Sequence, residues 1–122
     1  MRILIAEDDK NFGSVLRDTL EEEGHKVDLV GDGVEAVLKH IEEGYDFLVF
    51  DIKMPKLDGI NALKILKRLS PKTPAITISG NAGSGEMAES VRAGAVRCLT
   101  KPFEMSQLTD EMKRYAARHS GA

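Results

Sequence analysis

The sequence predicts a three-layer α/β domain built on a parallel sheet, and two observations carry that expectation. Short apolar runs alternate five times with longer stretches whose apolar residues recur at helical spacing. Three of the runs are nearly all apolar, as strands covered on both faces by helices must be. Right-handed crossovers between successive parallel strands then distribute helices over both faces of the sheet.

The first run, Ile3 to Ala6, leads into a helical stretch with Phe12, Val15, Leu16 and Leu20 on one face and Gly24 placed to stop it. The second, Val27 to Val30, carries Asp28 inside it, which suits an edge strand. Val34, Val37, Leu38 and Ile41 repeat the helical pattern, again with a glycine, Gly44, just beyond. Phe47 to Phe50 is the third run, followed by a helical face of Ile60, Leu63, Leu66 and Leu69 that ends near Ser70-Pro71. The fourth run, Ala75 to Ile78, passes through Gly80, Gly83 and Gly85 into a short helix around Met87, Ala88 and Val91, expected to be the least stable element. The fifth, Val96 to Leu99, holds Arg97 and so suits the other edge, and Leu108, Met112 and Tyr115 line a fifth helix. No linker, repeat or low-complexity tract interrupts this pattern, so residues 1–122 read as one domain.

Composition narrows the function classes. At 42% hydrophobic and 30% charged residues the chain reads as soluble and globular, and its 122 residues suffice for one buried core. Seventeen Lys and Arg against twenty Asp and Glu leave a net charge of −3, with no electrostatic footprint for nucleic acid or an acidic membrane. The cluster Lys113, Arg114, Arg118 and His119 reads as cations complementing a helix C-terminus. The lone cysteine, Cys98, cannot form an internal disulfide and fits a reducing cytosol. No apolar run approaches the ~20 residues of a membrane span, and no signal-peptide pattern opens the chain, so a cytoplasmic location is expected.

In open parallel sheets the functional site lies outside the C-terminal ends of the strands. Glu7, Asp8 and Asp9 follow the first run, and Asp51 the third. Ser79 and Gly80 end the fourth, and Thr100, Lys101 and Pro102 follow the fifth. Each has a plain structural reading: Asp9 as a helix cap, Asp51 as an Asx-turn residue, Ser79 as a loop hydroxyl, Lys101 as a solvated charge. Together on one sheet edge they point to a charged ligand. Clustered carboxylates repel one another, and a bound cation offsets that repulsion. Oxygen-only ligands select a hard ion, Mg²⁺ before others, whose remaining waters a phosphate can replace. Lys101 then offers a second positive charge to a phosphoryl group, and Ser79 a neutral donor. The residues alone leave open which two of the three leading acids serve.

The segment Asp51-Ile52-Lys53-Met54-Pro55, followed by Asp58-Gly59, resembles the phospho-acceptor signature of the response-regulator receiver family, and Thr100-Lys101-Pro102-Phe103 resembles its strand-five lysine motif. The steps from Asp51 to Ser79 and from Ser79 to Lys101 are similar to the family's, so the resemblance covers essentially the whole chain. It implies a flavodoxin-like sheet of order 2-1-3-4-5 with five helices. It implies that Asp51 is the nucleophile that forms an aspartyl phosphate, in a two-component phosphorelay. Asp8 and Asp51 would bind Mg²⁺ directly with the backbone carbonyl of Lys53, and Glu7 would complete the acidic pair, partly through water. Lys101 would pair with the phosphoryl oxygens, and Ser79 would move to hydrogen-bond them. The apolar phase of the first helix (Phe12, Val15, Leu16), matched to the family, puts Asp9 outside the acidic pair.

The same resemblance implies a sensor histidine kinase or histidine phosphotransfer protein as phosphoryl donor. The surface of helix four, strand five and helix five would signal to an output domain or partner protein, and a phosphorylation-dependent homodimer is a further expectation. Neither direct nucleic-acid binding nor a membrane is implied, and the chain would modify itself rather than turn over an external substrate. Two positions depart from the family pattern: Cys98 stands where a Tyr or Phe is usual, and reads as a small buried hydrophobe, and Ser79 stands where Thr is more frequent. Among rivals, a flavodoxin-like cofactor binder would share the architecture but needs a hydroxyl- and Gly-rich phosphate loop where Glu7, Asp8 and Asp9 stand. An aspartyl-phosphate hydrolase would need a second acid two residues after the nucleophile, where this chain has Lys53.

Overall fold

The apolar runs become β1 (Arg2–Ala6), β2 (Lys26–Val30), β3 (Phe47–Asp51), β4 (Ala75–Ser79) and β5 (Arg97–Thr100) in a computed structural model that describes residues 1–80 and 85–119, with side chains as far as Tyr115. Five helices alternate with them: α1 (Lys10–Glu22), α2 (Gly33–Glu43), α3 (Gly59–Leu69), α4 (Glu86–Arg92) and α5 (Met105–His119). The sheet is parallel throughout, in the order β2-β1-β3-β4-β5 that the resemblance implied. Of the glycines before α4, Gly83 lies outside the described residues, as do the side chains of Arg118 and His119. Lys113 of the same cluster meets Glu23 at 3.6 Å, and Arg114 meets Glu111 at 3.5 Å.

Strand alternation sorts the interior into two cores, one on each face of the sheet. Leu4, Ala6, Leu48, Phe50 and Ala75 meet α2 and α3 through Ala36, Leu63 and Leu66. Ile3, Ile5, Val49, Ile76 and Ile78 meet α1 and α5 through Leu16, Leu20, Leu108 and Met112. Each large aliphatic side chain so buried stabilises the fold by ~1.5–3 kcal/mol before entropy is counted. The expected edges are the edges: Asp28 on β2 accepts from the Tyr45 hydroxyl, and Arg97 on β5 pairs with Glu111 at 3.5 Å.

Three helices start on aspartates that follow strands. Asp9 caps α1 by accepting from the amides of Asn11 and Phe12, Asp32 caps α2 and Asp58 caps α3. Asp9 is thereby spent on the helix, as its place before α1 suggested.

The helical faces need correction at several positions. In α1, Leu16 and Leu20 are buried and Phe12 partly so, but Val15 is exposed. In α2, Val34, Leu38 and Ile41 point outward, and the buried face is Gly33, Ala36 and His40, with Val37 against the core. The reason is close packing: a Cβ on Gly33 would come within 1.9 Å of the Leu57 carbonyl oxygen, so only the small-residue face fits inward. In α3, Ile60, Leu63 and Leu66 are buried while Leu69, the last residue, is exposed. In α4, Met87, Ala88 and Val91 all face solvent, and Ser90 is the residue turned inward.

Candidate functional site

The C-terminal ends of β1, β3, β4 and β5 bring Glu7, Asp51, Ser79 and Lys101 to one edge of the sheet. Glu7 continues β1 through its amide, which donates to the Val30 carbonyl at 3.0 Å, and its side chain is buried. Asp51 is the last residue of β3 and is also buried. Asp8, between Glu7 and the capping Asp9, is exposed. Carboxylate oxygens of Glu7, Asp8 and Asp51 lie within 4.8 Å of one another. Lys53 follows two residues after Asp51, beyond the same strand end, with its side chain in solvent.

Lys101 reaches into this group from the end of β5. Its amide donates to the Ser79 carbonyl at 2.8 Å, and the Lys101-Pro102 peptide is cis. Its Nζ stands 3.2 Å from Glu7 Oε1 and 3.3 Å from Asp51 Oδ2. The Phe12 ring lies 4.5 Å from the same Nζ, face to cation, and is held by an edge-on contact with Phe103 at 6.0 Å.

These contacts shape the charges. Burial, reinforced by a hydrogen bond with Asp51, pushes the Glu7 carboxyl up to about 8, although the Asp9 amide and Lys101 pull the other way. Burial alone would lower the Lys101 ammonium, but the charges of Asp51 and Glu7 outweigh it and hold its pKa above the ordinary value. Among the described residues the site therefore lacks positive charge: one ammonium faces three carboxyl groups, and one of the three is driven to keep a proton. A hard cation on the three oxygens would displace that proton, and the all-oxygen donor set fits Mg²⁺.

Ser79 ends β4 with its side chain buried, and its Oγ donates to Glu86 Oε1 in the first turn of α4 at 2.5 Å. Cys98 is buried on β5 opposite Thr77, the small hydrophobe its sequence position suggested. Gly59 explains the second half of the acceptor signature: a Cβ there would stand 2.2 Å from the Asp51 carbonyl oxygen, and the Gly59 amide donates to the Ile52 carbonyl at 2.8 Å. Asp58 beside it caps α3. Two contributors escaped the sequence. Phe12 looks like an ordinary core position of α1, and only the fold brings it to Lys101 far along the chain; Glu86 looks like a solvated acid, and only the turn from β4 into α4 brings it back to Ser79, seven residues earlier.

A family model described as the response regulator receiver domain matches residues 3–113. The chain is 32% identical to the transcriptional regulatory protein RprY of Bacteroides fragilis over 99% of its own length and 51% of that protein's. It thus spans about half the length of the curated relatives it matches. The receiver domain of the Francisella response regulator 1452 superposes with a TM-score of 0.89 at 33% identity, covering 96% of this chain and 97% of that one. A chain of the CheX–CheY–BeF3–Mg²⁺ complex of Borrelia burgdorferi gives 0.87 at 25% identity, covering 94% and 88%. With the acidic cluster, the lysine and the hydroxyl gathered at the C-terminal edge of a 2-1-3-4-5 sheet, the chain belongs to the response regulator receiver domain family, the phospho-accepting switches of two-component signalling.

Proposed function

We propose that Asp51 is the phospho-acceptor of this chain and that residues 1–122 form one receiver domain. The observation that carries the reading is Lys101 held at once by Glu7 and Asp51, inside an acidic cluster short of positive charge. A carboxylate oxygen of Asp51 attacks phosphorus in line, and the bond to the donor's leaving group, a histidine nitrogen in a kinase or phosphotransfer protein, breaks as the new P–O bond forms. Lys101, 3.3 Å from Asp51 Oδ2, would pair with the equatorial oxygens. Ser79 supplies a further donor once its hydroxyl turns to them. Asp8 and Asp51, with the Lys53 carbonyl, would hold Mg²⁺ directly, and Glu7 would complete the set. When bound, that ion neutralises charge developing on the phosphoryl oxygens.

One phosphoryl group per chain, rather than turnover of an external substrate, is the expected stoichiometry. The outward Met87, Ala88 and Val91 of α4, with β5 and α5, would present the change to an output domain, a partner protein or a second copy in the cytoplasm. A flavodoxin-like role draws no support: the buried Glu7 and exposed Asp8 after β1 would repel a cofactor phosphate.

Acetyl phosphate with Mg²⁺ tests the proposal by intact mass. The chain should gain one phosphoryl group, EDTA should prevent the gain, and Asp51→Asn should abolish it. Labelling that persists in Asp51→Asn would remove the assignment.

A further inference from the structure

Ser79 is already committed to another acceptor. Its hydroxyl donates to Glu86 Oε1 at 2.5 Å, within the range of a hydroxyl bound to a carboxylate. Glu86 opens α4, whose N-cap, Gly85, makes no side-chain cap. The rest of the helix is weakly seated. Ser90 is its buried residue, and the Ser90 hydroxyl, like that of Thr77 on β4, is buried without a hydrogen-bond partner among the described residues. By strand alternation Thr77 faces the same side of the sheet as Ala75, Ala95 and Cys98. The large apolar residues of α4, Met87 and Val91, add little underneath because about half of each faces solvent.

We propose that Glu86 is a latch: a positioning residue that withholds the Ser79 hydroxyl from the phosphoryl group and fastens the first turn of α4 to the end of β4. The proposal rests on the reading of Asp51 and Ser79 given above. A serine hydroxyl has one proton to donate, so Glu86 and a phosphoryl oxygen compete for it. Glu86 cannot follow Ser79 to the new partner, because its carboxylate would meet a second anion there. Phosphorylation therefore frees Glu86, and with it the α4 end. A cleft of about 400 Å³ lies beside it, lined by Lys53 and Lys64 as well as Glu86 and Glu89, so the released carboxylate has cations to turn to. The coupling from phosphate to α4 runs through this exchange of one hydrogen bond. It needs no aromatic side chain at Cys98.

Beryllofluoride with Mg²⁺, titrated into the full chain and followed by amide NMR, tests the latch. Glu86→Ala should bind beryllofluoride about tenfold more tightly than the native chain, the scale of one charge-assisted hydrogen bond no longer in competition. Glu86→Gln, which keeps a weaker acceptor, should fall between. Without beryllofluoride, amides 85–92 of Glu86→Ala should already be displaced toward their bound positions. In a Ser79→Ala background the Glu86→Ala gain should vanish. If native binding depends on Asp51 and Glu86→Ala binds no tighter, the latch is wrong, even if the α4 amides shift, since a purely structural Glu86 would do that. If native binding does not depend on Asp51, the phospho-acceptor reading fails and the latch fails with it.

Discussion

Glu7, Asp8, Asp51 and Lys101 could be read from the sequence because each follows an apolar run, and parallel strands bring their C-terminal ends together. Composition at those ends was enough to suggest a cation and an anion. The sequence could not show that Lys101 is held by two carboxylates and lies against Phe12, since those contacts join residues 50 or more positions apart. Nor could it show that Ser79 is bound to Glu86. The crowding of carboxylates has a measurable cost. Asp8→Asn should abolish Mg²⁺ binding yet raise the thermal midpoint in metal-free buffer, by the equivalent of up to about 1 kcal/mol because Asp8 is exposed. Calorimetry in EDTA reads this directly. An unchanged or lowered midpoint would mean that these acids are not in conflict.

At the scale of elements, all five strands and five helices were legible, but which face of a helix turns inward was not always so. In α2 the residues Val34, Leu38 and Ile41 form one apolar stripe, and Gly33, Ala36, Val37 and His40 form another at the same period. Hydrophobicity favours the first, but the backbone of Leu57 admits only the second. The same closeness recurs at Gly59, where it supports the site. Gly59→Ala would drive a methyl into the Asp51 carbonyl, and the shift should cost about 1–3 kcal/mol and slow labelling of Asp51. Urea denaturation with a phosphorylation time course measures both. A stable Gly59→Ala chain labelled at the native rate would show that the approach is not needed.

For the whole molecule, stability should depend on pH through His40 as well as through the acidic cluster. Burial holds the His40 pKa below its ordinary value, and its Nδ1 accepts from the buried Tyr45 amide, in a setting that also includes Arg2 over the Tyr45 ring and Asp46 at the rim. The neutral ring is the folded form. Its contribution is full above the unfolded pKa of about 6.5 and is lost as pH falls from there toward the lower folded value. The stability difference between the native chain and His40→Asn should therefore shrink below about pH 6.5, by at most about 1.4 kcal/mol per pH unit. A difference that stays constant from pH 8 to pH 5.5, as read by urea midpoints, would contradict it. Borohydride reduces an aspartyl phosphate to homoserine, so treating the chain after acetyl phosphate and Mg²⁺, then sequencing its peptides by mass spectrometry, locates the acceptor. Homoserine should appear at position 51 and only when Mg²⁺ is present; homoserine at position 8 or 9 would contradict the assignment.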